Sequence, residues 1–187
     1  MRVIKAGLEG LYIIEPQVFE DNRGYFYESF NEKKYAQEGF NLKFVQDNQS
    51  KSSYGAVRGL HYQIEPYAQT KLIRVLQGRI IDVAVDIRKG SPTFGKWSKF
   101  ELSEINRKQL LIARGFAHGF SVISEYAVIL YKCDNFYVPE AERGIIYNDK
   151  SLNIDWELNP DVIIVSGKDN SLPELQNAEI NFKYRTK

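Results

Sequence analysis

A chain of 187 residues, 43% hydrophobic and 13% aromatic, can bury one substantial core and is short for two, so a single domain over residues 1–187 is expected. Twenty-five Lys and Arg against 24 Asp and Glu leave a formal charge of +1, which excludes bulk attraction to nucleic acid or membrane, so an anionic partner has to be met by a local cluster. The single cysteine, Cys133, has no disulfide partner within the chain and fits a reducing cytosol, and no run approaches the ~18 apolar residues that cross a bilayer, so a soluble cytoplasmic protein is expected.

The opening "MRVIKAGLEG" has neither the apolar core nor the cleavage-like end of an export signal. The clearest helix follows, with Asn31 as its cap, Phe30 and Tyr35 at the positions of a hydrophobic staple, and Gly39 suited to the left-handed residue after its end. Beyond it the periodicity is mostly two. In "RGLHYQ", Arg58 to Gln63, strict alternation puts Arg58 and His61 on opposite faces, so a shared site demands a bulge or kink at Gly59. In "RIIDVAVDI", Ile81, Val83, Val85 and Ile87 are expected to face a core while Asp82 and Asp86 share the other face. Gly78 is expected to turn this strand back on "KLIRVL" as a hairpin, and a second hairpin is expected from "WSKFEL" through "SEINRKQ" to "LLIA". "YAVILYKCDNFYV" reads as a long strand, and the stretch from Lys168 to Lys187 as a packed surface tail. Many strands, Gly and Asn turns and one or two small helices predict an all-β sandwich or barrel.

Lys71 falls on the same alternating face as Ile73 and Val75. From periodicity alone it reads as snorkelling to solvent from the strand's start; the alternative is that it points into the barrel, where a buried ammonium needs a partner or an anionic ligand. The two histidines, His61 and His118, are too few for a typical high-affinity metal centre, and the second member of a local His-x-His pair is Gln63. Cys133 has no histidine nearby in sequence and no "GxSxG" elbow occurs, so nucleophilic catalysis is disfavoured. Taken alone, each histidine reads more readily as an ordinary core residue with its ring nitrogens satisfied.

The segments "FEDNRGYFYESF", "VQDNQSKSSYGAVRGLHYQ", "QTKLIRVLQGRIIDVAVDIRKGSPTFGKW", "GFAHGF", "YKCDNFYVPEAERGI", "NDKSLNIDW" and "SGKD" occur in the order and spacing of one family. Over about residues 2 to 175 the chain resembles the dTDP-4-dehydrorhamnose 3,5-epimerases. The resemblance implies a cupin-type antiparallel β-barrel, jelly-roll-like, with a few short helices. It implies an isomerase that needs no metal or other cofactor and inverts C3 and C5 of dTDP-4-dehydro-6-deoxy-D-glucose. As catalytic residues it implies His61 as base, Asp169 as the carboxylate orienting it, Lys71 as the cation near the C4 oxygen, and Tyr131 as acid, protonated at neutral pH with an ordinary pKa of about 10. For substrate it implies Arg23 and Arg58 on the diphosphate, Tyr137 on the thymine, and Glu28, Gln46, Asp47, Asn48, His118, Glu142 and Lys168 as further contacts. It also implies a homodimer whose N-terminal strands cross to the neighbour. Ile105, Leu111 and Ala113 depart from the family's frequent Glu, Trp and Pro, in scaffold segments. A single-centre epimerase, a non-catalytic sugar-nucleotide-binding cupin and a metal-dependent cupin oxygenase are the competing readings.

Overall fold

Strands with period-two patterning account for most of the regular secondary structure; eleven of them pair into two facing sheets, and two more, Val18–Asp21 and Gly24–Tyr27, pair only with each other. The computed structural model describes residues 1–184, so the last three residues of the expected tail lie outside the described residues. In chain order the strands are β1 (Arg2–Lys5), β2 (Leu11–Glu15), β3 (Val18–Asp21), β4 (Gly24–Tyr27), β5 (Gln46–Ser53), β6 (Val57–Gln63) and β7 (Lys71–Gln77). There follow β8 (Arg79–Asp86), β9 (Trp97–Ser103), β10 (Gln109–Ile112), β11 (Phe116–Val122), β12 (Tyr126–Cys133) and β13 (Glu142–Gly144), with short helices α1 (Glu32–Gln37) and α2 (Gly167–Asn170). One sheet runs β1-β2-β10-β7-β12-β5 and the other β13-β6-β11-β8-β9. Ile73, Val75 and Ile129 of the first meet Ile80, Ala84 and Leu102 of the second in a shared core. The fold is thus all-β and jelly-roll-like, as expected for a cupin, but it is a sandwich of two sheets and not a barrel closed by hydrogen bonds.

Both expected hairpins give way to crossings between the sheets. β7 pairs with β10 and β12, whereas β8 pairs with β11 and β9, and Gly78 carries the chain from one layer to the other. Its φ is +80°, and a Cβ there would lie 2.0 Å from the Tyr126 carbonyl oxygen, so the corner requires glycine. Likewise β9 pairs with β8, and β10 with β2 and β7. A glycine turn between two apolar-faced strands serves a hairpin or a corner equally well; in a two-layer fold the corner lets both apolar faces meet across the core.

The faces of β8 are also reversed from expectation. Ile80 and Ala84 point into the space between the sheets, which places Asp82 and Asp86 on that inner face. Ile81, Val83 and Val85 pack outward under a cover that includes Ile145, Leu152, Trp156 and Phe182. Both faces of the strand are buried, so alternation reports two environments without telling which is the interior. The covering residues come from the chain after β13, including part of the expected tail, which does pack down.

α1 forms where its caps predict. The Asn31 side chain accepts a hydrogen bond from Lys34 N, the Phe30 and Tyr35 rings lie 4.9 Å apart, and Gly39 has φ +89°. Tyr35 packs with Ile14, Leu72 and Leu111 on the outer face of the first sheet, so Leu111 fills a scaffold position there. Ile105 is 82% exposed in a turn, where it packs nothing.

Candidate active site

The local backbone around His61 is what the sequence required. Between the pairs His118↔His61 and Phe120↔Arg58, β6 has one residue more than β11, so a bulge sits at Gly59 and Leu60. Val57 and Leu60 therefore both join the outer cluster, while Arg58 and His61 line one hollow. Close approach of β6 and β11 makes this possible, since a Cβ on Gly119 would lie 2.6 Å from the Arg58 carbonyl oxygen. Gly119→Ala is expected to destabilise the fold by about 1–3 kcal/mol through overpacking and to lower kcat more than it raises KM, because it displaces His61. Urea unfolding beside steady-state kinetics checks both halves.

His61 and Asp169 form a dyad. His61 Nε2 lies 2.8 Å from Asp169 Oδ1, and the other carboxylate oxygen accepts from Gly59 N at 3.2 Å. Ser166 caps α2 by accepting from Asp169 N, so the short helix holds the carboxylate in place, 4% exposed. Burial pushes the Asp169 carboxyl up, but the hydrogen bond and charge of His61, with the Gly59 and Ser166 contacts, outweigh it and hold the group below the usual carboxylate range. A negative Asp169 fixes the His61 tautomer and favours an imidazolium once a proton arrives.

Across the sandwich, the other sheet supplies the remaining chemistry. Lys71 opens β7 and Tyr131 lies on β12, with the Lys71 Nζ 6.0 Å from the centre of the Tyr131 ring. Lys71 points inward with Ile73 and lines the cavity, so the snorkelling that periodicity alone favoured gives way to the inward placement. Burial draws its ammonium below the ordinary lysine value, opposed by Cys133, Asp82 and Glu142. Burial also pushes the Tyr131 phenol up, and Cys133 adds to this, so the phenol stays protonated at neutral pH. His61, Lys71 and Tyr131 line one cavity of about 300 Å³, together with Gln46, Asn48 and Glu142.

The rim is a connected polar frame. Gln46 Nε2 donates to Asn48 Oδ1, and Gln46 Oε1 accepts from Tyr137 N. Tyr137 OH donates to Glu142 Oε2 at 2.6 Å, and Lys168 Nζ donates to the same oxygen. Burial raises the Glu142 carboxyl, but these two donors outweigh it and keep it below its ordinary value. Gln63, considered in the sequence only as a missing metal ligand, instead ties down the loop before β13 by donating to Tyr67 O and Phe136 O and accepting from Val138 N. Arg58 donates to Ser52 Oγ at 2.9 Å and lines the adjoining hollow with Lys168.

Some implied residues are not brought to the cavity. The Asp47 side chain faces away and pairs with Lys132 at 3.0 Å, because it alternates with Gln46 and Asn48 on β5. Arg23 sits in the β3–β4 turn on Asp21, and Glu28 pairs with Lys34. His118 is buried against Asp82, on a narrow extension of the cavity. Among the described residues no three His, Cys, Asp or Glu side chains converge as metal ligands.

The family model described as dTDP-4-dehydrorhamnose 3,5-epimerase matches residues 5–177. The chain belongs to that family. It is 54% identical over 171 residues to the dTDP-4-dehydrorhamnose 3,5-epimerase of Shigella flexneri, covering 90% of this chain and 93% of that one. The crystal structure of the Elizabethkingia anophelis epimerase is similar with TM-score 0.91 and 53% identity, covering 95% and 97% of the two chains. The Legionella pneumophila dTDP-6-deoxy-D-glucose-3,5-epimerase, solved in complex with dTDP-4-keto-L-rhamnose, has TM-score 0.95 and 45% identity, covering 99% of each chain.

Proposed function

We propose that this protein inverts C3 and C5 of dTDP-4-dehydro-6-deoxy-D-glucose, giving dTDP-4-dehydro-L-rhamnose. The observation that carries the reading is the placement of base and acid on facing sheets: His61 on β6 and Tyr131 on β12 look into one cavity from opposite walls. A proton beside a ketone is acidic because its removal gives an enolate, and inversion requires the proton to return on the other face. His61 takes the proton, Asp169 stabilises the imidazolium, Lys71 holds the developing charge on the C4 oxygen, and Tyr131 donates from the far side. The same three groups serve C3 and C5 in turn, since both carbons flank the same carbonyl. Arg58 and Lys168 at the mouth suit the diphosphate, and the exposed Tyr137 ring suits the thymine. Incubation with the 4-keto sugar nucleotide in deuterated water tests the reading: label at both carbons with inverted configuration is expected, and label at one carbon would reduce the activity to single-centre epimerisation.

A homodimer with shared sites completes the proposal. The β3–β4 arm leaves Phe26 69% exposed and carries Arg23, with Glu28 just beyond, yet neither reaches this chain's own cavity. On a second copy, the arm would bury its aromatic residues and deliver both charges. Mixing an Arg23→Ala protein with a His61→Ala protein is expected to restore part of the activity, because one site of each heterodimer is then intact. Verified heterodimers with no activity would refute site sharing.

A further inference from the structure

His61 and Asp169 are one of two His–Asp pairs in the interior. His118 on β11 is the register partner of His61 on β6 and of Ala84 on β8, so the three residues form a row across the second sheet. Two residues before Ala84, Asp82 presents both oxygens to His118 Nε2, at 2.9 and 3.0 Å, and is itself 0% exposed. A fully buried carboxylate is costly without a partner, and replacing it with an apolar residue of similar size is often neutral or better for stability. Its location behind the catalytic cavity gives it another use. His118 and Lys71 line the same narrow extension, which shares Tyr62, Gln63, Gln69 and Lys71 with the main cavity.

The groups that face Lys71 come from five strands: Tyr131 and Cys133 from β12, Asp82 from β8, His118 from β11, His61 from β6 and Glu142 from β13. Few of them are negative. The Cys133 thiol is pushed up to about 11 by burial and is neutral at physiological pH, and Tyr131 is a neutral phenol. Glu142 is already engaged by Lys168 and Tyr137. Asp82 is the carboxylate left on this inner face to balance the Lys71 ammonium: burial pushes its carboxyl up, His118 and then Lys71 act against that rise, and Asp82 and Lys71 each favour the other's charged form.

We infer that Asp82 is a positioning residue for the epimerisation: it seats His118 through Nε2 and is the buried counter-charge that keeps Lys71 cationic beside the C4 oxygen. With Nε2 held, His118 presents Nδ1, which makes no hydrogen bond among the described residues, as its remaining polar group. The inference rests on the proposed role of Lys71 in the enolate step.

The test compares the wild type with Asp82→Asn and Asp82→Glu, using kcat against pH and a titration of 13Cε-labelled lysines, with Lys71 assigned by its absence in Lys71→Met. Asp82→Asn keeps the shape and removes the charge. Its KM is expected to stay within about threefold, while the alkaline limb of kcat and the Lys71 resonance both move down by about one pH unit, lowering kcat about tenfold on that limb. Asp82→Glu is expected to return the limb towards the wild-type position. A folded Asp82→Asn protein whose limb and Lys71 resonance are unmoved would overturn the inference, even if its kcat fell, because a merely structural role predicts that pattern. Should Asp82→Asn not fold, the wild type decides: Lys71 cationic at about pH 8 supports a counter-charge, and Lys71 already neutral there overturns it. A wild type that does not turn over the keto sugar would instead sink the proposed function, and the lysine titration would still report on Asp82.

Discussion

Replacing His61 with alanine is expected to abolish deuterium incorporation at both C3 and C5 while leaving dTDP bound. The base starts every proton transfer, and general acid–base groups contribute about 10²–10⁴-fold in rate, so kcat should fall by that order. Among the described residues the other candidate bases on the same wall are engaged or set back: Asp169 is spent on His61 and Gly59 N, Glu142 accepts from Tyr137 and Lys168, and His118 lines the narrow extension and not the main cavity. Tyr131→Phe should behave differently. The base remains, so some deprotonation and exchange continue, but without the phenol on the facing sheet the label returns on the original face and inversion is lost. NMR of the recovered sugar separates the two variants by position and configuration of deuterium. Near-normal solvent exchange in His61→Ala would remove His61 as the base.

Legibility from sequence divided along physical lines. Where a feature depends on a few residues close in the chain, it was readable: the Asn31 cap and the bulge demanded by placing Arg58 and His61 together both follow from local geometry, whereas alternation put Lys71 on the Ile73 face without telling whether its long stem turns in or snorkels out. Motif order then placed His61, Asp169, Lys71 and Tyr131 in one set, and they do converge, although Asp169 arrives from 108 residues away on a four-residue helix that no periodicity announces. What failed depended on which layer a strand joins. The turn at Gly78 looks the same for a hairpin as for a corner, and β8 is buried on both faces, so Asp82 was assigned away from the core when it lies inside it. Asp47 shows the opposite error: a run of three implied contact residues on one strand cannot direct three side chains to one cavity. Arg23 and Glu28 stay off this chain's own cavity, so the site role that the resemblance implies for them requires a second chain, which no property of one sequence encodes directly.

Lys71→Met should lower kcat by about 10²–10³-fold, equivalent to about 2.7–4 kcal/mol, with little change in dTDP affinity. The ketone oxygen is nearly neutral in the bound substrate and becomes an oxyanion only as the proton leaves, so the ammonium acts mainly on the transition state and its loss appears in kcat. Methionine preserves the length and apolar packing of the stem on the Ile73 and Val75 face, which separates charge from shape. The pH dependence supplies the second signature. The proposed mechanism requires Lys71 protonated, and burial lowers its pKa from the ordinary lysine value, so on the alkaline side wild-type kcat should decline as pH rises through the folded-state pKa, at a pH lower than an exposed lysine would give. Tyr131 cannot account for that early decline, because burial moves its phenol upward. In Lys71→Met the early alkaline decline should therefore disappear from the small residual activity, leaving any remaining loss to a group that titrates higher. A variant with unchanged kcat, or one that keeps the wild-type alkaline limb, would show that the oxyanion is stabilised by another donor.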